Sequence, residues 1–285
     1  MPARSNDSRH RIQPQICAVL SFIVMTLFCG CVKPAGDGGG GTTTTTPPNN
    51  NYQAITGNWV ISTTATGGPF TTLSGFINEV SSSGSSDFTT AALVAQSTGC
   101  YATPSSVSLE GSASGAQVNL TSFQNDGQVM SVFATRNMAG NQLTGNYSVV
   151  GGCANGASGN VFGTLYDPLN GTYSGPLNSG NTAQTMQLTM TQAPQGDGAG
   201  RSFLSGTVTF QGTPCFASGT LSPTASYVIG NEVTISATTA DASESQVLAT
   251  GTFDSAGDTI AFSQVEFNNG ACAGPTGTTS LTLQQ

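Results

Sequence analysis

From Trp59 onward, apolar and polar residues alternate in short runs that are broken by clusters of Gly, Asn, Asp and Ser. A period of two over about four to eight residues places successive side chains on opposite faces, the pattern of half-buried antiparallel strands joined by tight turns. In the C-terminal part these segments are Gly171 to Leu177, Thr185 to Thr191, Phe203 to Phe210, Cys215 to Leu221, Glu232 to Thr238, Gln246 to Phe253, Thr259 to Phe267 and Thr278 to Leu283. The preceding part matches them with strands near Trp59, Phe76, Leu93, Tyr101 to Leu109, Val118, Val132, Leu143 to Val149 and Val161 to Leu165. Asn125, Asp126 and Gly127 are a turn signal, and Asp254 to Asp258 with Gly257 predicts a hairpin connection. No segment carries a helical stripe, so the predicted class is all-β.

The two halves repeat each other. Ile55-Thr56-Gly57-Asn58-Trp59 is echoed by Leu169-Asn170-Gly171-Thr172-Tyr173, Cys100-Tyr101-Ala102 by Cys215-Phe216-Ala217, and Cys153-Ala154 by Cys272-Ala273, at offsets of 114, 115 and 119 residues. Order and spacing are both kept, as in a duplication. Each unit then holds about eight short strands, enough for a meander barrel or a sandwich. A barrel is favoured, because closure leaves no exposed edge to template unwanted pairing. The expected boundaries are 55–167 for the first β repeat and 168–285 for the second. Each unit is expected to carry its own core and to fold alone.

Gly57-Asn58-Trp59 resembles the G-x-W of lipocalin-like barrels, whose tryptophan plugs the barrel base, with Tyr173 in its place in the second unit. The resemblance implies an eight-stranded barrel whose interior holds a small ligand or is simply filled. Gly145 to Ala154 is similar to a module of envelope lipoproteins from soil bacteria such as acidobacteria, where it falls near the end of each β unit. That likeness implies an envelope lipoprotein and no particular chemistry.

Ahead of the β repeats, residues 2 to 15 are polar and carry Arg4, Arg9, His10 and Arg11, and Ile16 to Phe28 is almost entirely apolar. This is the n-region and h-region of a secretory signal, and it is shorter than the roughly 20 residues a membrane span needs. Phe28-Cys29-Gly30-Cys31 resembles the lipobox of bacterial lipoproteins. The resemblance implies a signal peptide over 1–30, cleavage before Cys31, a diacylglycerol thioether on Cys31 and acylation (palmitate-type chains) of the new amine. Several acyl chains make a stable anchor. An ordinary signal peptide with an incidental cysteine is the alternative. Residues 31–54 then form the lipidated cysteine and a disordered linker, since Gly38 to Gly41, Thr42 to Thr46 and Asn49 to Asn51 have little to bury.

The full chain has a formal charge of −8. Removing the leader leaves Lys33, Arg136 and Arg201 against 13 of the 14 acidic residues, so 3 minus 13 gives −10. So few cations cannot neutralise phosphates, and nucleic-acid binding is not expected. The one histidine, His10, leaves with the leader, and a Ser/His/Asp triad, a Cys/His dyad and the commonest transition-metal ligand go with it. No serine sits in a G-x-S-x-G, and no cofactor or metal is expected. Four cysteines remain after the anchor, and an even count in an oxidising compartment favours disulfides. Of the three connectivities, the repeat selects Cys100 with Cys153 and Cys215 with Cys272. Asp254 and Asp258 read as a solvated turn rather than a calcium loop. Tyr101 with Phe216, and Trp59 with Tyr173, read as core positions. The functional expectation is a non-catalytic, lipid-anchored envelope protein, at the outer membrane, with an interaction or structural role. The alternative is a binding protein for a small apolar ligand or a glycan.

Overall fold

The computed structural model describes residues 52–285 apart from 65–67, 82–85, 98–99, 102–104, 125–126, 179–183, 214–215, 240–244 and 269–273. The described residues form strands and turns and no helix. The first eight strands are β1 (Gly57–Thr63), β2 (Phe70–Val80), β3 (Asp87–Ser97), β4 (Ser105–Ser114), β5 (Gln117–Ser122), β6 (Val129–Arg136), β7 (Gln142–Val150) and β8 (Ser158–Tyr166). Each pairs antiparallel with the next, and β8 returns to β1 with Leu165 opposite Trp59, closing a barrel.

The second barrel comprises β9 (Gly171–Asn178), β10 (Gln184–Gln192), β11 (Ser202–Gln211), β12 (Ser218–Leu221), β13 (Tyr227–Ile229), β14 (Glu232–Thr238), β15 (Gln246–Phe253), β16 (Thr259–Asn268) and β17 (Gly274–Leu283). Here β17 returns to β9, and β10 to β11 completes the ring. The ring has eight positions, because β12 and β13 share the fourth: each pairs with β11 on one side and β14 on the other. Between them the chain leaves the ladder, and the Ser226 hydroxyl takes over, accepting from the Ser236 N–H and donating to the Ser236 carbonyl. The expected tandem of antiparallel barrels is thus the observed architecture. The additional short strand β13 did not show in the alternation pattern, since three residues are too few for a period.

Alternation places the cores. Along β10, Met186, Leu188, Met190 and Gln192 are buried while Gln187, Thr189 and Thr191 are exposed. Each barrel has one contiguous apolar cluster, built around Trp59, Phe70 and Tyr147 in the first and around Tyr173, Phe216 and Phe262 in the second. Each such large side chain taken fully out of water stabilises by about 1.5–3 kcal/mol.

The repeat holds at the level of single atoms. Gly57 and Gly171 both have φ in the region only glycine adopts freely, at 149° and 126°. A Cβ on either would come within 2.6 Å of Leu165 Cδ1 or 2.7 Å of Leu283 Cδ1. Trp59 Nε1 donates to the Ile55 carbonyl and the Tyr173 hydroxyl donates to the Gly257 carbonyl, so each buried ring is anchored by its polar tip. Burial, with the nearby Asp258 and Asp254 carboxylates adding to it, pushes the Tyr173 hydroxyl above its ordinary pKa. Asn137 Oδ1 accepts from the N–H groups of Asn141 and Gln142, and Asp254 Oδ1 accepts from those of Asp258 and Thr259.

Candidate functional site

On β1, β2 and β3 four side chains that should face water do not. Trp59, Ile61, Leu73, Ile77 and Leu93 enter the first core, yet the intervening Asn58, Ser74, Phe76 and Ala92 are also 9% exposed or less. The second barrel covers them, and both barrels belong to one compact unit. The approach is close because glycines make it. A Cβ on Gly196 would lie 2.3 Å from Phe76 Cβ, one on Gly200 would lie 2.3 Å from the Ala92 carbonyl oxygen, and one on Gly230 would lie 2.8 Å from Ser74 Cβ. At the rim of the seam, Gln96 Nε2 donates to Glu232 Oε1 over 2.8 Å.

Gly196 and Gly200 belong to the β10–β11 loop, which braces itself. Asp197 Oδ1 accepts from the N–H groups of Ala199 and Arg201, and Oδ2 accepts from Arg201 Nε and Nη2 at 2.9 and 2.7 Å. Partial burial works to raise the Asp197 pKa, but these hydrogen bonds and the guanidinium charge outweigh it and hold the carboxyl below its ordinary value. Arg201 in turn lies over the rings of Phe203 and Tyr227.

At one end of the seam lies a crevice of about 120 Å³ lined by residues of both barrels, among them Asn58, Phe76, Leu165, Asp167, Pro168 and Pro194. Asn58 is 1% exposed, and neither its Nδ2 nor its Oδ1 has a hydrogen-bond partner. Leaving an amide buried and unpaired costs about 1–3 kcal/mol. Its counterpart Thr172 in the second barrel shows the contrast, with a hydroxyl 3.0 Å from that of Thr189 on the outer wall. A second, shallower groove of about 330 Å³ runs where the same loop crosses β2, β3 and β4, beside Asn78, Glu110 and Phe123.

The first barrel also buries an ion pair. Arg136 and Glu79 side chains are 4% and 3% exposed and meet at 2.8 Å. Glu79 Oε2 accepts the Ile55 N–H, while Arg136 donates to the Gly115 and Gln53 carbonyls and lies against the Tyr52 ring. In the second barrel the same joint is neutral. Gln192 Oε1 accepts the Leu169 N–H, and Phe253, edge-on to Tyr166, stands where Arg136 stands.

Of the residues singled out from the sequence, Cys100 and Cys153 are joined in a disulfide, with Cα atoms 5.5 Å apart. Gln128 runs parallel to it, donating to the Cys100 carbonyl and accepting the Ala154 N–H. Cys215, Cys272 and the lipidation candidate Cys31 lie outside the described residues. Tyr101 and Phe216 are buried core residues, and Phe216 packs with Phe210 and Phe267. Asp254 and Asp258 form the expected hairpin turn. Among the described residues no group of three or more His, Cys, Asp or Glu is placed to hold a metal.

Sequence reasoning missed Asn58, Phe76, the β10–β11 loop and the Arg136–Glu79 pair. Phe76 could have been found, because a large aromatic between Gly75 and Ile77 breaks the phase set by Leu73 and Ile77. Arg136 could have been found as one of three cations beyond the leader. The chain matches no family model, no curated protein and no solved structure.

Proposed function

We propose that this chain is a non-catalytic, lipid-anchored protein of the bacterial cell envelope, held at the outer membrane through Cys31, whose tandem barrels present an interaction surface. The anchor rests on the leader sequence, and one observation carries the interaction surface. Among the described residues, all the exposed large hydrophobics, Val80, Phe88, Phe123, Phe133, Met138, Val150 and Phe162, lie on the first barrel. Scattered exposed apolar residues are normal on any surface. The informative fact is their unequal division between two copies of one unit. Val80 and Phe88 are direct cross-strand partners, at 60% and 50% exposure.

A second reading, a ligand held inside the first barrel, is favoured by one group. The Tyr147 hydroxyl is buried there without a hydrogen-bond partner, its ring 4.8 Å from that of Phe70.

The anchor is tested by expressing the full chain and its Cys31→Ser variant and partitioning both with detergent. The parent is expected in the detergent phase carrying acyl chains, and the variant in the aqueous phase without them. Equal acylation and partitioning of the two would refute the assignment. The interior reading is tested by adding an apolar fluorescent probe to the same chains. Saturable binding that is lost in Tyr147→Phe would place the ligand in the barrel and demote the surface.

A further inference from the structure

The outer wall of β5 to β8 sets aromatic rings among amides. Pairing aligns Asn119, Phe133, Asn146 and Asn160 as direct neighbours across the four strands. All four are exposed, Phe133 at 49%, and among the described residues nothing engages the three side-chain amides. Phe162, 47% exposed, lies two residues beyond Asn160 on β8 and opposite Thr144. No outward residue of these four strands is charged, so the wall offers an ionic partner nothing. It also lacks the contiguous apolar centre of a protein interface, because Asn146, Asn160 and Thr144 separate the rings. A pyranose suits both parts: its C–H face stacks on an aromatic ring, and its hydroxyls reach the flanking carboxamides, each of which can donate and accept.

Spacing narrows the ligand further. Phe133 and Phe162 are separated by one strand across the sheet and by two residues along it. Strand spacings of about 4.8 Å and rises of about 3.4 Å per residue put their Cα atoms about 12 Å apart. That is the reach of an extended glycan from one pyranose to the next but one. The second barrel keeps the strands without the rings. Thr250 precedes Phe253 by three residues, as Phe133 precedes Arg136, and it pairs with Thr234 and Gln264. Ser280 precedes Leu283 by three, as Phe162 precedes Leu165, and those two leucines face Gly171 and Gly57 alike.

We propose that this wall of the first barrel binds an extended, uncharged, β-linked glycan. One pyranose stacks on Phe133 and the next but one on Phe162, and Asn146 hydrogen-bonds the hydroxyls of the unit between them. The proposal rests on the reading of the first barrel as an interaction surface and names its partner, but the geometry does not require the lipid anchor.

The test is titration calorimetry of the full chain in detergent with cellohexaose and glucose as probes. Cellohexaose is expected to bind, and glucose, which reaches one ring only, about tenfold more weakly or less tightly still. Phe133→Ala and Phe162→Ala are each expected to weaken cellohexaose binding about tenfold with the thermal midpoint unchanged, since both side chains are exposed. Phe133→Trp, which restores a ring, is expected to retain binding. Phe88→Ala removes an exposed aromatic on β3, outside this wall, and is expected to change nothing. No binding of cellohexaose, equal binding of glucose, or full binding by both alanine variants would overturn the proposal. Self-association of the parent in the ultracentrifuge that is lost in Phe133→Ala, without glycan binding, would overturn it too and give the wall to a second copy. Binding retained by Cys31→Ser in the aqueous phase would support the site even if the anchor assignment fails, and a parent that partitions into detergent but binds no cellohexaose would overturn the site and leave the anchor standing.

Discussion

The two barrels solve the same structural problem differently at the joint beside Trp59 and Tyr173, and this permits a swap experiment. In the first barrel Glu79 and Arg136 form a buried pair, and in the second Gln192 and Phe253 take those places. Removing one partner of a buried pair costs about 3–5 kcal/mol, because the survivor keeps its charge without compensation, whereas replacing both by neutral groups is often neutral or stabilising. Glu79→Gln alone leaves the guanidinium without a counter-charge, held by neutral acceptors such as the Gly115 and Gln53 carbonyls. Arg136→Phe alone leaves a carboxylate facing one N–H, that of Ile55. Each single variant should therefore lose about 3–5 kcal/mol. The double variant should lie within about 2 kcal/mol of the parent, since Gln can still accept the Ile55 N–H and Phe can lie against Tyr52 as Phe253 lies against Tyr166. Urea unfolding of the four chains, compared by midpoint at constant m-value, measures the coupling. Additive losses in the double variant would refute the claim that the two copies use interchangeable joints.

Two further outcomes follow from the seam. Gly200→Ala should destabilise by at least about 1–2 kcal/mol from its positive φ alone and should speed amide exchange around Ala92, because the new Cβ meets that carbonyl at 2.3 Å; Gly198→Ala, with nothing within 4 Å, should do neither. Asp197 has its folded pKa below the ordinary 3.8, so the folded state binds fewer protons than the unfolded one. Its contribution is fully present above that value and is lost as pH falls through the lower, folded value. The parent should therefore lose more of its thermal midpoint than Asp197→Asn between pH 5 and pH 2, and parallel curves would remove Asp197 from the account.

Much of the fold was legible because a half-buried strand writes its register into the chain. The segments Gln246 to Phe253 and Glu232 to Thr238 coincide with β15 and β14. The repeat landmarks located the Cys100–Cys153 pair. What stayed hidden were contacts made by residues in the polar phase of a strand. Asn58 and Ser74 look like ordinary outward positions, and only the covering of one barrel by another buries them. The loop from Pro194 to Gly200 reads as solvent-facing turn chemistry, and its glycines are needed for close approach as well as for turning. Sequence spacing carries no information about which outer wall a loop will meet.

Comparing the copies shows where the first barrel departs from a merely stable unit. A duplicated module begins with two equal surfaces, and the second copy here has neutral, satisfied groups at the matched places: Thr172 bonded to Thr189, Gln192 in place of Glu79, Phe253 in place of Arg136. The first copy carries the buried ion pair, the unpaired Asn58 amide and the exposed aromatics. Each of these is neutral at best for stability. Features that cost stability and lie together in one copy are better explained by use than by folding, and functional sites are where such violations of local rules collect. The second barrel then acts as the cover that turns an outer wall into a crevice. On this argument, loosening the cover with Gly200→Ala should bring the buried Asn58 and Phe76 into contact with solvent, read as faster amide exchange at both, and unchanged exchange in a chain with an opened seam would show that the first barrel buries them by itself.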